Sequence, residues 1–215
     1  MSDYVPPPRG LPGHLPEGER ILWQGAPQTA ALARRTFHGR AVAVYFAIVL
    51  AGAVVTNVAE GASPAATALA ILWVAPLAMV AVGLIMLFAW LTSRTTVYTI
   101  TNRRLVLRVG IALPATINLP FATIGSAGVR TFPDGTADIP LTVTGPDAVA
   151  YMMLWPHARP WRLSRAEPML RAVPDGAQVA AILARALAAA AEQPVQAVGA
   201  ALPPVATHGP VPAAA

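Results

Sequence analysis

The stretches AVAVYFAIVLAGAVVTNVA (Ala41 to Ala59) and AATALAILWVAPLAMVAVGLIMLFAWL (Ala65 to Leu91) are two long apolar runs separated only by Glu60-Gly61-Ala62-Ser63-Pro64. At about 1.5 Å of rise per helical residue, the first run covers roughly the hydrocarbon core of a bilayer, and the second can span it with tilt or a bend. They predict a transmembrane helical hairpin, hence an integral membrane protein. The alternative is a pair of buried helices in a soluble domain, suggested by the abundance of weakly lipophilic alanine.

Charge sets the expected orientation, because arginine near a span favours the cytoplasmic side while acidic residues count for little. Arg34, Arg35 and Arg40 precede the first run and Arg94, Arg103, Arg104 and Arg108 follow the second, whereas the connector carries no basic residue. Both termini are therefore expected in the cytoplasm. The first run starts too late for a cleavable secretory signal and reads as a permanent anchor. Pro76 removes a backbone donor inside the second run, and Gly83 with the many alanines permits close helix packing. Between Ala65 and Leu91 there is no ionisable residue, which argues against a substrate pathway and so against a transporter component.

Composition removes several classes of chemistry. Every basic residue other than histidine is arginine, so lysine Schiff bases and a phosphate-loop lysine are excluded. The cysteine count is 0, which excludes disulfides, thiolate catalysis and cysteine-ligated metal. The net charge of +5 points to a membrane surface and not to nucleic acid, since the arginines form no dense run interleaved with aromatics. Arg34, Arg35, Arg40 and Arg94 are the expected contacts with lipid head groups, or simply determinants of topology.

Outside the hairpin, residues 1–16 are proline-rich and extended, and Glu17 to Pro27 is a strand-like or docking segment whose Leu22 and Trp23 need cover. A domain over 94–192 follows the second run. Thr96 to Thr101 and Arg104 to Gly110 read as strands joined at Asn102-Arg103. Further strands are expected at 115–119, 126–132, 139–144 and 148–155, with turns at Pro133-Asp134-Gly135 and Gly145-Pro146-Asp147. From Asp175, a candidate cap with Gln178 in the reciprocal position, Val179, Ile182, Leu183 and Leu187 recur on one face of a helix ending near Glu192. The tail 193–215 is rich in alanine and proline and is expected to be disordered.

Two sets of residues carry a family resemblance. Glu19-Arg20-Ile21-Leu22-Trp23-Gln24-Gly25 before the hairpin, with Tyr98-Thr99-Ile100-Thr101-Asn102-Arg103-Arg104-Leu105 after it, resembles the bacterial pleckstrin-homology-like (YdbS-like) membrane proteins. Leu154-Trp155-Pro156-His157-Ala158-Arg159-Pro160-Trp161-Arg162-Leu163 and Glu167-Pro168-Met169-Leu170-Arg171 resemble the narrower PuhB family of photosynthetic complex assembly proteins from purple bacteria. The resemblance implies an α+β membrane protein: a pleckstrin-homology-like antiparallel β barrel or sandwich, capped by a C-terminal helix and tethered to the bacterial inner membrane by the hairpin. It further implies a non-enzymatic role in assembling the reaction centre and core light-harvesting complex, with their subunits as partners and no cofactor. The rival is a lipid-sensing or membrane-organising protein of the same fold without a photosynthetic client.

No local spacing assembles a catalytic or metal site from His14, His38, His157 and His208, and Asp134 and Asp138 read as turn residues. His157 could ligate a pigment magnesium, but Pro156 and Pro160 place it in a rigid loop away from lipid. Trp155, Arg159, Trp161, Arg162 and Arg165 form the candidate partner-binding surface, since arginine stacks on indole and binds carboxylates through its planar fork. The same pattern fits tryptophans completing a core with the arginines facing water. The alanine-rich helices leave room for self-association without fixing a stoichiometry.

Overall fold

The computed structural model of the chain describes residues 7–144, 151–160 and 166–192. Strand β1 (Ile21–Gly25) leads through a short helix α1 (Thr29–Ala31) and a π-helical turn (Leu32–Thr36) into two long helices, α2 (Gly39–Ala59) and α3 (Pro64–Thr95). Both are long and apolar enough to cross a membrane. They pack on each other yet leave Ile48, Leu72, Trp73 and Met79 exposed, and neither has an amphipathic face. The Ser63 hydroxyl accepts the Ala66 amide at 3.3 Å and Pro64 opens α3, a start that satisfies one orphan donor and needs no other at the proline.

With 32 residues, α3 runs to about 48 Å, longer than a bilayer core requires. Its last turns enter the folded unit, where Ala89 packs among Ala31, Leu32, Ala33 and Ala172, and the Ser93 hydroxyl donates to the Pro27 carbonyl at 2.7 Å.

After α3 come β2 (Val97–Thr101), β3 (Arg104–Val109) and β4 (Ala115–Pro120), which with β1 form an antiparallel sheet in the order β1-β2-β3-β4. The second sheet is built on β7 (Ala137–Val143), which pairs with β5 (Ile124–Ala127), β6 (Arg130–Thr131) and β8 (Met169–Val173). Tyr98, Ile100, Leu105 and Leu107 of the first sheet and Ile139, Leu141 and Leu170 of the second share one core, closed by Val179 and Leu183 of the C-terminal helix α5 (Gly176–Glu192). Gly176 lies so close to the Ala137 backbone that a β-carbon would collide with it. The Asp175 carbonyl accepts the first amides of α5, from Gln178 at 2.9 Å and Val179 at 3.1 Å.

The Thr101-Asn102-Arg103-Arg104 segment clasps the N-terminal segment to the first sheet. Asn102 Oδ1 accepts the Arg20 amide at 2.9 Å, and its Nδ2 donates to the Gly18 carbonyl at 2.9 Å. The Thr101 hydroxyl accepts the amides of Arg103 and Arg104 and shapes the turn. Arg104 grips Glu19 in a fork, Nε to Oε1 at 2.7 Å and Nη2 to Oε2 at 2.9 Å, with the Glu19 side chain only 2% exposed.

Three elements differ from expectation. The strand expected over 126–132 divides into β5 and β6 around Gly128, opposite Pro140 of β7, which has no amide to donate to the ladder; the Gly128 amide still reaches the Pro140 carbonyl at 2.9 Å. Within the strand expected over 148–155, Tyr151–Leu154 forms a single helical turn, α4, that buries Leu154, while 145–150 lie outside the described residues. Strand β8 was not anticipated, because Met169-Leu170-Arg171-Ala172-Val173 breaks alternation with a charge and is bracketed by prolines. The tail 193–215 also lies outside the described residues.

His157 is fully buried and both ring nitrogens are engaged, Nδ1 with the Tyr98 hydroxyl at 2.7 Å and Nε2 with the Thr96 hydroxyl at 3.1 Å. Tyr98 also accepts the Arg171 amide at 3.1 Å. Because the Tyr98 oxygen already accepts the Arg171 amide, its hydroxyl is assigned as donor to Nδ1, and Nε2–H then donates to Thr96. Burial, with Arg171 adding repulsion, pulls the imidazole down to about 3, and burial pushes the Tyr98 phenol well above its ordinary range. His157 is thus a neutral core group that joins the first sheet to the segment before β8.

Two outcomes follow for the full chain in detergent. Arg104→Met, which strands the buried Glu19 carboxylate, lowers stability by about 3 kcal/mol in denaturant unfolding, and Glu19→Leu/Arg104→Met recovers most of that loss; an unchanged midpoint for Arg104→Met refutes the clasp. The unfolded chain protonates His157 near its ordinary pKa of 6.5 while the folded chain resists until about 3, so its stabilisation is complete above 6.5 and declines as pH falls through that window. Between pH 6.5 and 5, above the carboxylate range, His157→Gln removes a stability slope of at most about 1.4 kcal/mol per pH unit. An identical slope in the variant refutes the assignment.

Candidate functional site

Arg34 and Arg35 are adjacent in sequence, and the π-helical turn that carries them, closed by the Phe37 amide on the Leu32 carbonyl at 3.0 Å, directs both onto one carboxylate. Asp134, in the β6–β7 turn, accepts from Arg34 Nη2 and Arg35 Nη1 through Oδ2, each at 2.9 Å. Its Oδ1 accepts the Thr136 hydroxyl at 2.7 Å and the Thr136 amide at 3.2 Å, and Arg35 also donates to the Thr136 hydroxyl. The Thr136 hydrogen bond, joined by that of Arg35, holds the Asp134 carboxyl down at about 2. The expected turn role of Asp134 therefore extends to an ion pair that ties the start of the hairpin to the second sheet.

Behind this pair opens a cleft of about 500 Å³, lined by Arg34, Arg35 and His38 from the foot of α2, Arg130 and Phe132 from β6 and its turn, Asp138 and Pro140 from β7, Arg159 and Pro160, and Met169 and Arg171 from β8. Arg171 reaches it because β8 bulges: the register shifts against β7, and Ala172 adopts a left-handed φ of 49°. Asp138 holds that conformation by accepting the Ala172 amide at 2.8 Å, while the Ala172 carbonyl accepts the Gln28 amide at 2.8 Å. Asp138, expected as a turn residue, is thus a strand residue that shapes the cleft wall.

The lining is dominated by guanidinium groups. Arg35 stacks over the Phe132 ring at 3.8 Å and Arg130 lies 5.2 Å from the same centroid. Arg159 pairs with Glu167 at 2.8 Å. Arg171 Nη2 donates to the Ala158 carbonyl at 2.9 Å, and burial lowers its pKa while Asp138 opposes the shift. The Nε atoms of Arg35 and Arg171 are buried with no hydrogen-bond partner among the described residues. Among the described residues, each of the three acidic groups in or beside the cleft is committed to an arginine or a backbone amide, an arrangement suited to holding an anion.

Of the residues singled out from sequence, Arg34, Arg35 and Arg159 meet in this cleft. Arg40 is exposed in the first turn of α2. Arg94, near the end of α3, is exposed over Trp90 and lines a second basic recess with Arg9 and Arg108 beside the β3–β4 loop, where Leu113 is 86% exposed. Trp155 is half exposed and packs edge-on against Phe37 with centroids 5.9 Å apart, so it stands at the foot of the hairpin and not in the core. Trp161, Arg162 and Arg165 lie outside the described residues. Arg130 and Arg171 were not found from sequence as site residues; the one local signal was an arginine interrupting the apolar run around Leu170.

Residues 42–187 match the family model of the bacterial PH domain. An uncharacterized 23.7 kDa protein in the puhA 5′ region of Rhodobacter capsulatus is 38% identical over 194 residues, covering 89% of this chain and 90% of that protein. A DUF1696-family protein with a pleckstrin-homology domain from Shewanella loihica aligns in structure over 42% of this chain and 69% of its own, at 16% identity and a TM-score of 0.28. With the matched stretch running from α2 through both sheets into the capping helix, the chain belongs to the bacterial PH domain family.

Proposed function

We propose that this protein is a non-enzymatic, membrane-anchored assembly factor for the photosynthetic reaction centre and core light-harvesting complex of a purple bacterium. The observation that carries the reading is the relative found in the puhA 5′ region of Rhodobacter capsulatus, similar along nine-tenths of both chains, together with the PuhB-like segments around Trp155 and Glu167.

In this reading α2 and α3 cross the inner membrane, with both termini and the two sheets in the cytoplasm. The arginines at the feet of both helices and the exposed Ile111 and Leu113 beside Arg94 support that orientation, since such residues suit a headgroup layer. Alanine-rich helix surfaces suit packing against client helices. Phe37, Trp155 and the 81% exposed Met152 offer client subunits an apolar anchor where the helices meet the domain. Holding clients there while they associate requires contacts and no bond chemistry.

A strain lacking the protein accumulates less reaction centre and core antenna under phototrophic conditions, read from membrane absorption spectra. A photo-crosslinker placed at Met152 captures reaction-centre or core-antenna subunits in the complemented strain. Normal accumulation without the protein overturns the assignment.

A further inference from the structure

We propose that the arginine cleft at the foot of α2 binds a phosphate group, that of an anionic phospholipid headgroup lying beside it in the membrane surface. Among the described residues, Arg34, Arg35, Arg130, Arg159 and Arg171 face three carboxylates, Asp134, Asp138 and Glu167, in and beside the cleft. Two positive charges remain, close to the charge of one phosphate. Arg130 has no hydrogen-bond acceptor among the described residues and only stacks on Phe132.

The donors are also directional. The Nε atoms of Arg35 and Arg171 are closed to solvent and have no hydrogen-bond partner among the described residues, so contact with a ligand falls to the outer guanidinium nitrogens. Planar guanidiniums match the oxygens of a phosphate through paired N–H donors, and Phe132 draws two of them together, with Arg35 at 3.8 Å and Arg130 at 5.2 Å from its ring centre. His38, immediately before Gly39, lines the same cleft, so its mouth lies where α2 begins. With α2 in a bilayer, that is the depth of the headgroup phosphates.

The full chain in nonionic detergent is titrated with short-chain phosphatidylglycerol, short-chain phosphatidylcholine, inorganic phosphate and a glutamate-rich peptide, and binding is followed by thermophoresis. Phosphatidylglycerol binds saturably and at least about tenfold more tightly than phosphatidylcholine, and Arg130→Gln weakens it about tenfold, the loss of one charge-assisted contact. Arg130 sits on the short strand β6 outside the core, and the control Arg103→Gln removes an exposed charge at the β2–β3 turn. Competition by inorganic phosphate at similar concentration supports the phosphate site and assigns its source to solution; failure to compete assigns it to lipid. The proposal is overturned by no saturable binding of lipid or phosphate, by equal losses in Arg130→Gln and Arg103→Gln, or by preference for the peptide. The lipid arm rests on the membrane insertion proposed above and the phosphate arm does not, while the assembly role is read separately in cells.

Discussion

Strands β1 and β2 are separated in the chain by the whole of the hairpin, yet they lie side by side, with Gln24 opposite Thr99 and Gly25 opposite Tyr98. Closing so long an excursion has an entropic cost that the pairing must offset, and the Asn102 bonds and the Glu19–Arg104 fork supply part of the compensation. The pairing brings both feet of the hairpin to one place. From there the short run between β1 and α2 must cross the end of α3, which explains why small residues, Ala31, Ala33 and Ala89, occupy that crossing. The motif that carries the family resemblance is in this light a structural device, whose Glu19, Asn102 and Arg104 bond within the chain itself.

The cleft is a consequence of the same geometry. Once the π-helical turn is held against α3, its arginines face the β6–β7 turn, and Asp134 fixes them there. Asp138 and Gln28 then hold the left-handed Ala172 from opposite sides, which turns Arg171 out of the core while Leu170 and Val173 remain in it. A strained residue at a bulge normally needs partners to persist, and here the two hydrogen bonds come from β7 and from the segment before α1. The site is therefore as rigid as the docking of the hairpin on the domain.

The fold class was legible because its signals are local and strong. The two apolar runs exceed anything a small soluble core needs, β2 and β3 are β-rich runs joined by a polar turn, and α5 shows a single apolar face. β8 and α4 were illegible for an equally local reason: one carries a charge between prolines and the other is a single turn, so neither develops a period. The cleft was half visible. Arg34, Arg35 and Arg159 stood out as charges beside membrane or aromatic segments, but their convergence with Arg130 and Arg171 depends on which residues of β6 and β8 lie opposite β7. His157 was read as a rigid-loop residue; no neighbour in sequence announces that Tyr98 and Thr96 receive it.

With the hairpin in a bilayer as proposed above, its position between two neighbouring strands gives the protein a built-in check on its own biogenesis. β1 is synthesised before either helix and can pair only after β2 has followed both out of the ribosome. If one helix inserts and the other does not, the bilayer stands between the two strands, the first sheet lacks its edge, and Leu22 and Trp23 lose the core they pack against. Insertion of both helices is thereby converted into a folded domain, and insertion of one into a chain with exposed apolar surface that quality-control proteases can recognise.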